Sequence, residues 1–134
     1  SADMDAILCV GEKIEERGAG QTESVLDRQL RSAVHDISSE EISRVTIAYE
    51  PVWAIGTGKT ATTTQAEEAH LFIRNLLSEL FDAETSQKMR IQYGGSVKPD
   101  NAGELMAQRN VDGALVGGAS LKSDMFLGII EASK

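Results

Sequence analysis

Four short apolar runs along the chain stand apart from longer stretches in which apolar residues return every three or four positions. The runs are Ala6 to Val10 (AILCV), Arg44 to Tyr49 (RVTIAY), Arg90 to Tyr93 (RIQY) and Gly113 to Val116 (GALV). Each is brief, apolar or β-branched, and ends at glycine or at a carboxylate, so each is predicted to be a strand. Between them, Leu26, Leu30, Val34 and Ile37 recur at helical spacing, as do Ala66, Ala69, Ile73, Leu76, Leu77 and Leu80. Thr64 and Glu67 have the spacing of a capping box at the start of the latter helix. Pro99 with Asp100 opens a third helix and Ser123 with Asp124 a fourth, acidic residues being favoured in a first turn.

Strand and helix thus alternate four times, with no proline-rich linker or low-complexity tract between units. That order predicts an α/β fold with a parallel sheet covered by helices, and one domain over residues 1–134. Polar and glycine-rich residues collect just after the strands, in VGE, YEP, YGGS and VGGAS. In parallel α/β folds this is the edge where sites are built.

Composition narrows the choices. With 13 basic and 21 acidic side chains the net charge is −8, and the basic residues are scattered along the sequence, so a nucleic-acid partner is not expected. The one cysteine, Cys9, sits in an apolar run and reads as a buried, inert thiol; it allows no internal disulfide and fits a reducing compartment. No apolar stretch approaches the ~18 residues of a membrane span, and the start, SADMDA, is acidic where a secretory signal is basic. A soluble cytoplasmic protein with no membrane partner is the expectation. His35 and His70 read as structural or surface residues on helices.

Residues 48 to 62, AYEPVWAIGTGKTAT, pose a choice of chemistry. The tail GTGKT resembles the end of a phosphate-binding P-loop. That motif needs a glycine five residues before its GK pair, and the position is held by Trp53, whose indole bars the backbone from wrapping a phosphate. The head places Glu50 at a strand's end, where Pro51 disfavours the helical region for it and so aims the carboxylate by stiff backbone. Gly56 and Gly58 bracket Thr57 at a flexible tip, with apolar Val52, Trp53, Ala54 and Ile55 beneath it: stiff ends and a mobile middle describe a lid. Further on, Gly94 and Gly95 before Ser96, and Gly117 and Gly118 before Ala119 and Ser120, expose backbone amides beside helix starts, where an anion can sit.

YEPVWAIGTGKTAT, with CVGE at 9 to 12, QYGGSVKPDN at 92 to 101 and DGALVGGASLK at 112 to 122, resembles the triosephosphate isomerase family over nearly the whole chain, in the family's order. The resemblance implies the eight-stranded (β/α) TIM barrel, of which this chain carries about four βα units, the second half. It implies a glycolytic and gluconeogenic isomerase that interconverts dihydroxyacetone phosphate and glyceraldehyde 3-phosphate without metal or organic cofactor. Glu50 resembles the base that shuttles a proton through an enediol; the family is a familiar example of a glutamate base under a closing lid, and that mechanism is what the resemblance implies here. Phosphate contacts fall by the same resemblance to Gly56, Ser96, Gly117 and Gly118. The lid is Pro51, Val52, Trp53, Ala54, Ile55, Gly56, Thr57, Gly58, Lys59, Thr60 and Ala61. Ile55 and Leu115 close over the carboxylate and strip its water, which makes a carboxylate a stronger base. As latches, Tyr49 and Glu12 receive the Trp53 indole N–H in the open and closed states, and Tyr93 bonds the far hinge near Ala61. Read singly, Tyr49 and Tyr93 are also ordinary core aromatics and Glu12 a solvated loop acid.

The family's first half supplies an asparagine and a lysine near the first strand, the histidine electrophile after the fourth, and the contact loop of the usual homodimer. None has a counterpart here, so the chain requires that first half, or self-association, to cover its sheet. Besides an enzyme segment, the sequence is compatible with a phosphate-binding module without turnover and with a self-associating structural fragment.

Overall fold

The computed structural model of the chain describes residues 4–134; the first three residues of the acidic start lie outside the described residues. Four strands, β1 (Ala6–Val10), β2 (Val45–Tyr49), β3 (Ile91–Tyr93) and β4 (Gly113–Ala114), form one parallel sheet in the order β1-β2-β3-β4. The register runs Val10↔Tyr49↔Tyr93↔Ala114 across all four. Six α-helices lie between and after the strands: α1 (Ile14–Gly18), α2 (Thr22–Val34), α3 (Thr63–Leu80), α4 (Ala83–Lys88), α5 (Pro99–Met106) and α6 (Ser123–Ala132). The predicted alternation and parallel pairing are both present, and this is half of an eight-stranded barrel's complement.

Alternation along each strand decides which side is covered. Ile47, Tyr49, Ile91 and Tyr93 pack against Leu26, Leu30, Ile73, Leu77 and Leu105 of the helices, all nearly or wholly inaccessible. Full burial of each such aliphatic side chain stabilises the fold by ~1.5–3 kcal/mol before entropy is counted. The opposite side of β1 has no such layer: Ile7 is 52% exposed and Cys9 is exposed too. At the other end of the sheet an apolar groove of about 480 Å³ runs beside β4, lined by Met106, Val111, Ala114, Val116, Phe126 and Ile130 among others. Both outer strands therefore present uncovered apolar surface.

Several local expectations need correction. The capping box lies two residues earlier than Thr64 and Glu67: Thr62 accepts from Gln65 N at 3.1 Å, and Gln65 Oε1 accepts from Thr62 N at 3.0 Å. Glu67 instead receives the backbone and side-chain N–H groups of Asn110 at 2.9 and 2.6 Å. The arginines at 44 and 90 stand just outside their strands, β4 stops at Ala114, and Ile37 lies beyond α2, half-buried against the core. Two short helices, α1 and α4, add to the four that the sequence predicts. Cys9 is not buried; it shares the uncovered side of β1 with Ile7, while its neighbours Leu8 and Val10 pack against the core.

Arg74 ties the two halves of the sheet's helical layer together. It lies on α3, almost inaccessible, and donates to Asn110 Oδ1, to the carbonyls of Ser86 and Met89, and to the Asp112 carboxylate. Asp112 also accepts from Ile91 N at 2.8 Å, so the cation bears on the start of β3. His70, one turn earlier, donates through Nδ1 to the Asn110 carbonyl at 3.1 Å, and burial pushes its pKa down to about 4. The imidazole is thus neutral at physiological pH. Among the described residues no helix is long and apolar enough to cross a membrane.

Removing Arg74 leaves buried acceptors, Asn110 Oδ1 and the Ser86 and Met89 carbonyls, without their donor, at a cost of ~1–3 kcal/mol for such a group. Arg74→Ala is therefore expected to destabilise the protein by about that amount in urea melts, against ~0.5 kcal/mol or less for the exposed Arg28→Ala. Equal losses from the two would contradict this account of the network.

Candidate active site

The strand ladder continues one residue past the sheet, and that extra row builds the site. Glu50 N donates to Val10 O at 2.7 Å, Gly94 N to Tyr49 O at 2.8 Å, and Leu115 N to Tyr93 O at 2.9 Å. Gly11, Glu50, Gly94 and Leu115 consequently stand side by side. A Cβ on Gly11 would lie 1.8 Å from the Glu50 carbonyl oxygen, and one on Gly94 only 2.5 Å from Glu50 Cγ. Glycine on both sides is thus a steric condition for Glu50 to lie where it does. The Gln29 side chain holds Gly11 by accepting from its N–H at 2.9 Å and donating to its carbonyl at 3.1 Å. That clamp from α2 was not legible in the sequence.

Glu12, one residue beyond the row, is wholly buried, so the solvated-acid reading is excluded. Its Oε1 accepts from Trp53 Nε1 at 3.0 Å, from Arg17 at 3.0 Å and from the Tyr49 hydroxyl at 3.1 Å. The Arg17 guanidinium also sits 5.3 Å from the centre of the Trp53 ring, a cation–π contact that sequence reasoning missed. Burial and the adjoining Glu12 charge hold the Tyr49 phenol well above its ordinary range, so it stays a donor. The indole bonds to Glu12, and Tyr49 meets the same carboxylate. The Glu12 carbonyl further accepts from Val52 N at 3.0 Å.

Val52 to Ala54 form a single 3-10 turn after Pro51, and the segment then leaves the body of the protein. Ile55 is 45% exposed, and Gly56 and Gly58 adopt φ of +65° and +77°, angles that side chains with a Cβ resist. Thr57 Oγ1 donates to Trp53 O at 2.8 Å and fastens the tip to its own base. The far end is fixed where Tyr93 Oη accepts from Ala61 N at 3.1 Å. Tyr49 and Tyr93 are fully buried, so they are core aromatics whose hydroxyls also bond this segment or its anchor.

One cleft of about 690 Å³ gathers the base, the phosphate contacts and part of the lid singled out from the sequence: Glu50, Ile55, Gly56, Gly58, Ser96, Leu115, Gly117 and Gly118. Glu12, Tyr49, Trp53 and Tyr93 do not line it; they lie behind it as anchors. Neither histidine lines it. Lys98, Lys122 and Met125 do, and sequence reasoning missed all three. Among the described residues no protein acceptor takes the amide hydrogens of Ser96, Gly117 or Gly118, which leaves donors free on the cleft wall. A carboxylate at one end and free amides at the other can move a proton on a small molecule held by an anionic group.

Residues 1–133 match the family model for triosephosphate isomerase. The chain belongs to the triosephosphate isomerase family. Its relatives include the triosephosphate isomerase of Rhodopirellula baltica, 57% identical over 133 residues, or 99% of this chain and 52% of that protein. Those of Fusobacterium nucleatum (54% over 129 residues, 96% of this chain, 51% of the relative) and Geotalea uraniireducens (53% over 133 residues, 99% and 53%) are similar. The chain thus spans about half the length of the curated triosephosphate isomerases it matches, in accord with a sheet of four strands.

Cys9 offers a probe of this geometry. Partial desolvation, and a hydrogen bond and charge contact with Glu50, push its thiol up from the ordinary cysteine range, which keeps it protonated and unreactive at neutral pH. Glu50→Gln removes the charge, so the thiol's titration is expected to move to lower pH, read from the pH dependence of its reaction with an aromatic disulfide. With a single cysteine in the chain the signal has one source. An unchanged or upward-shifted profile would contradict contact between the two side chains.

Proposed function

We propose that this chain supplies the base, the lid and the phosphate grip of a triosephosphate isomerase, and that the barrel's first half completes the site. The reading rests on one observation above others: Glu50, the segment from Ile55 to Gly58, and the unbonded amides of Ser96, Gly117 and Gly118 all border one cleft. Dihydroxyacetone phosphate and glyceraldehyde 3-phosphate are isomers, so their interconversion needs no net oxidation. It needs a group that removes a proton from one carbon and returns it to the next. Glu50 fills that role, with an enediol between the two transfers.

The phosphate end of the substrate is held by backbone amides of Gly56, Ser96, Gly117 and Gly118, which carry partial positive charge without needing counter-ions of their own. Residues 51–61 act as the lid. Trp53 on Glu12 fixes one end and Ala61 on Tyr93 the other, so motion is confined to the tip with its two positive-φ glycines. Closure brings Ile55 and Leu115 over Glu50 and shields the enediol from water. The whole chain works as one domain, half a barrel, in the cytoplasm.

The uncovered side of β1 and the groove beside β4 support a requirement for the first half, as does the position of both histidines. His70 is buried in α3 and His35 is exposed just past α2, so neither can polarise a carbonyl in the cleft. The first half brings that electrophile and the usual dimer contact.

Removal of a general base costs ~10²–10⁴-fold in rate. In the completed enzyme, Glu50→Gln is expected to slow exchange of the substrate's carbon-bound hydrogen with deuterated water by that factor while leaving substrate affinity within a few-fold. Exchange at the wild-type rate would refute Glu50 as the base.

A further inference from the structure

We infer that Lys98 and Lys122 form a cationic rim on the cleft that recruits a doubly charged phosphate group before the backbone amides grip it. The inference rests on the phosphate-binding reading of the same cleft and adds to it side chains that no relative's name assigns. Of the residues lining the cleft, only Glu50, Lys98 and Lys122 carry a charge. The protein as a whole carries −8, so a phosphate dianion approaching it is repelled unless the entrance differs in sign from the rest.

The two lysines occupy places where helix stability does not ask for them. Lys98 is the N-cap of α5 and Lys122 the N-cap of α6, and neither side chain makes a capping hydrogen bond. A cation there opposes the positive end of the helix dipole, whereas serine, threonine, asparagine and aspartate cap a helix well. Elsewhere Thr62 caps α3 and Asp82 caps α4, the latter by accepting from Thr85 N at 2.8 Å, while α1 begins at a lysine, Lys13, as α5 and α6 do. At α5 the capping is left to Asn101, whose Oδ1 reaches back to Lys98 N at 2.7 Å.

Place, rather than pairing alone, separates these lysines from the other cations, since they are the two cations that line the cleft. Arg17, Arg31 and Arg74 are bound to carboxylates, and Lys88 pairs with Glu84. Lys98 and Lys122, like Lys13, Lys59, Arg90 and Arg109, make no side-chain hydrogen bond or ion pair among the described residues, and of these six only the first two line the cleft. Each follows its group of free amides closely, Lys98 two residues after Ser96 and Lys122 four after Gly118. An ammonium on a four-carbon stem acts as a movable point charge, suited to attracting an anion without fixing its orientation, which the amides then set.

The test is calorimetric titration of the full chain with inorganic phosphate, at 20 mM and 200 mM ionic strength. Wild type is compared with Lys98→Gln/Lys122→Gln, the matching double arginine variant, and Lys88→Gln, folding being checked by circular dichroism. The glutamine pair is expected to weaken phosphate binding about fivefold to tenfold at low salt and to flatten its salt dependence, since exposed charges are screened beyond a Debye length of ~10 Å at 0.1 M. The arginine pair is expected to restore both, and Lys88→Gln to change neither. If wild type binds phosphate and the glutamine pair binds it equally well, the rim is refuted while the amide site stands. If wild type binds no phosphate at either ionic strength, both are overturned.

Discussion

The close approach of Glu50 to its two neighbouring glycines is the constraint on which the rest of this edge depends. Parallel pairing carries the ladder one residue beyond the sheet, and the row so formed has room for one long side chain only if the positions beside it have none. Gly11 clears its carbonyl and Gly94 its Cγ, the latter with 2.5 Å where a Cβ would stand. The carboxylate is thereby aimed by backbone hydrogen bonds and by absent atoms, without a salt bridge that would hold its charge away from a substrate. Parallel register turns four sequence-distant loops into neighbours, and the same register brings Leu115 and the glycines after it to the cleft.

Behind that row, the buried Glu12 carboxylate governs how the following segment leaves the body of the protein. A buried charge is costly unless its lone pairs are occupied, and here an indole, a phenol and a guanidinium occupy them. The arrangement makes the start of residues 51–61 stiff, while the Ala61 N–H bond to Tyr93 and the contacts of Thr60 with Tyr93 and Ser96 fix their end. Between the anchors the chain is exposed and carries its left-handed glycines, so flexibility is confined to a short tip.

How far this was legible in the sequence follows from the range of the interactions concerned. The strands came from short apolar runs, two helices from apolar periodicity and two more from proline or acidic residues at their starts, and the cleft residues from glycine and carboxylate positions at strand ends together with the family motifs. What failed was set by context. Cys9 looked buried in AILCV because its run is apolar, yet alternation puts it on the side of β1 that has no helical layer. Thr62 competes with Thr63 and Thr64 for the cap, and the choice falls to whichever has a glutamine or glutamate three residues on whose side chain is not already engaged elsewhere; Glu67 is engaged with Asn110, 43 residues away. The Arg74 network and the Gln29 clamp join residues 12 to 38 apart in the chain, and nothing in their spacing announces them. Lys98 and Lys122 were visible only as scattered charges until the cleft gave them a common place.

The central claim is that this edge is one part of a divided site, built around Glu50 and finished by the missing half of the barrel. The most direct measurement is a steady-state isomerase assay of the purified chain, alone and after mixing with a separately produced first half of a relative such as the Rhodopirellula baltica enzyme. Each electrostatic donor absent from a site costs ~10²–10³-fold, so the chain alone is expected to give no rate above background and the mixture a measurable, Glu50-dependent one. Robust isomerase activity from the chain alone, or none from a mixture that demonstrably associates, would contradict the account.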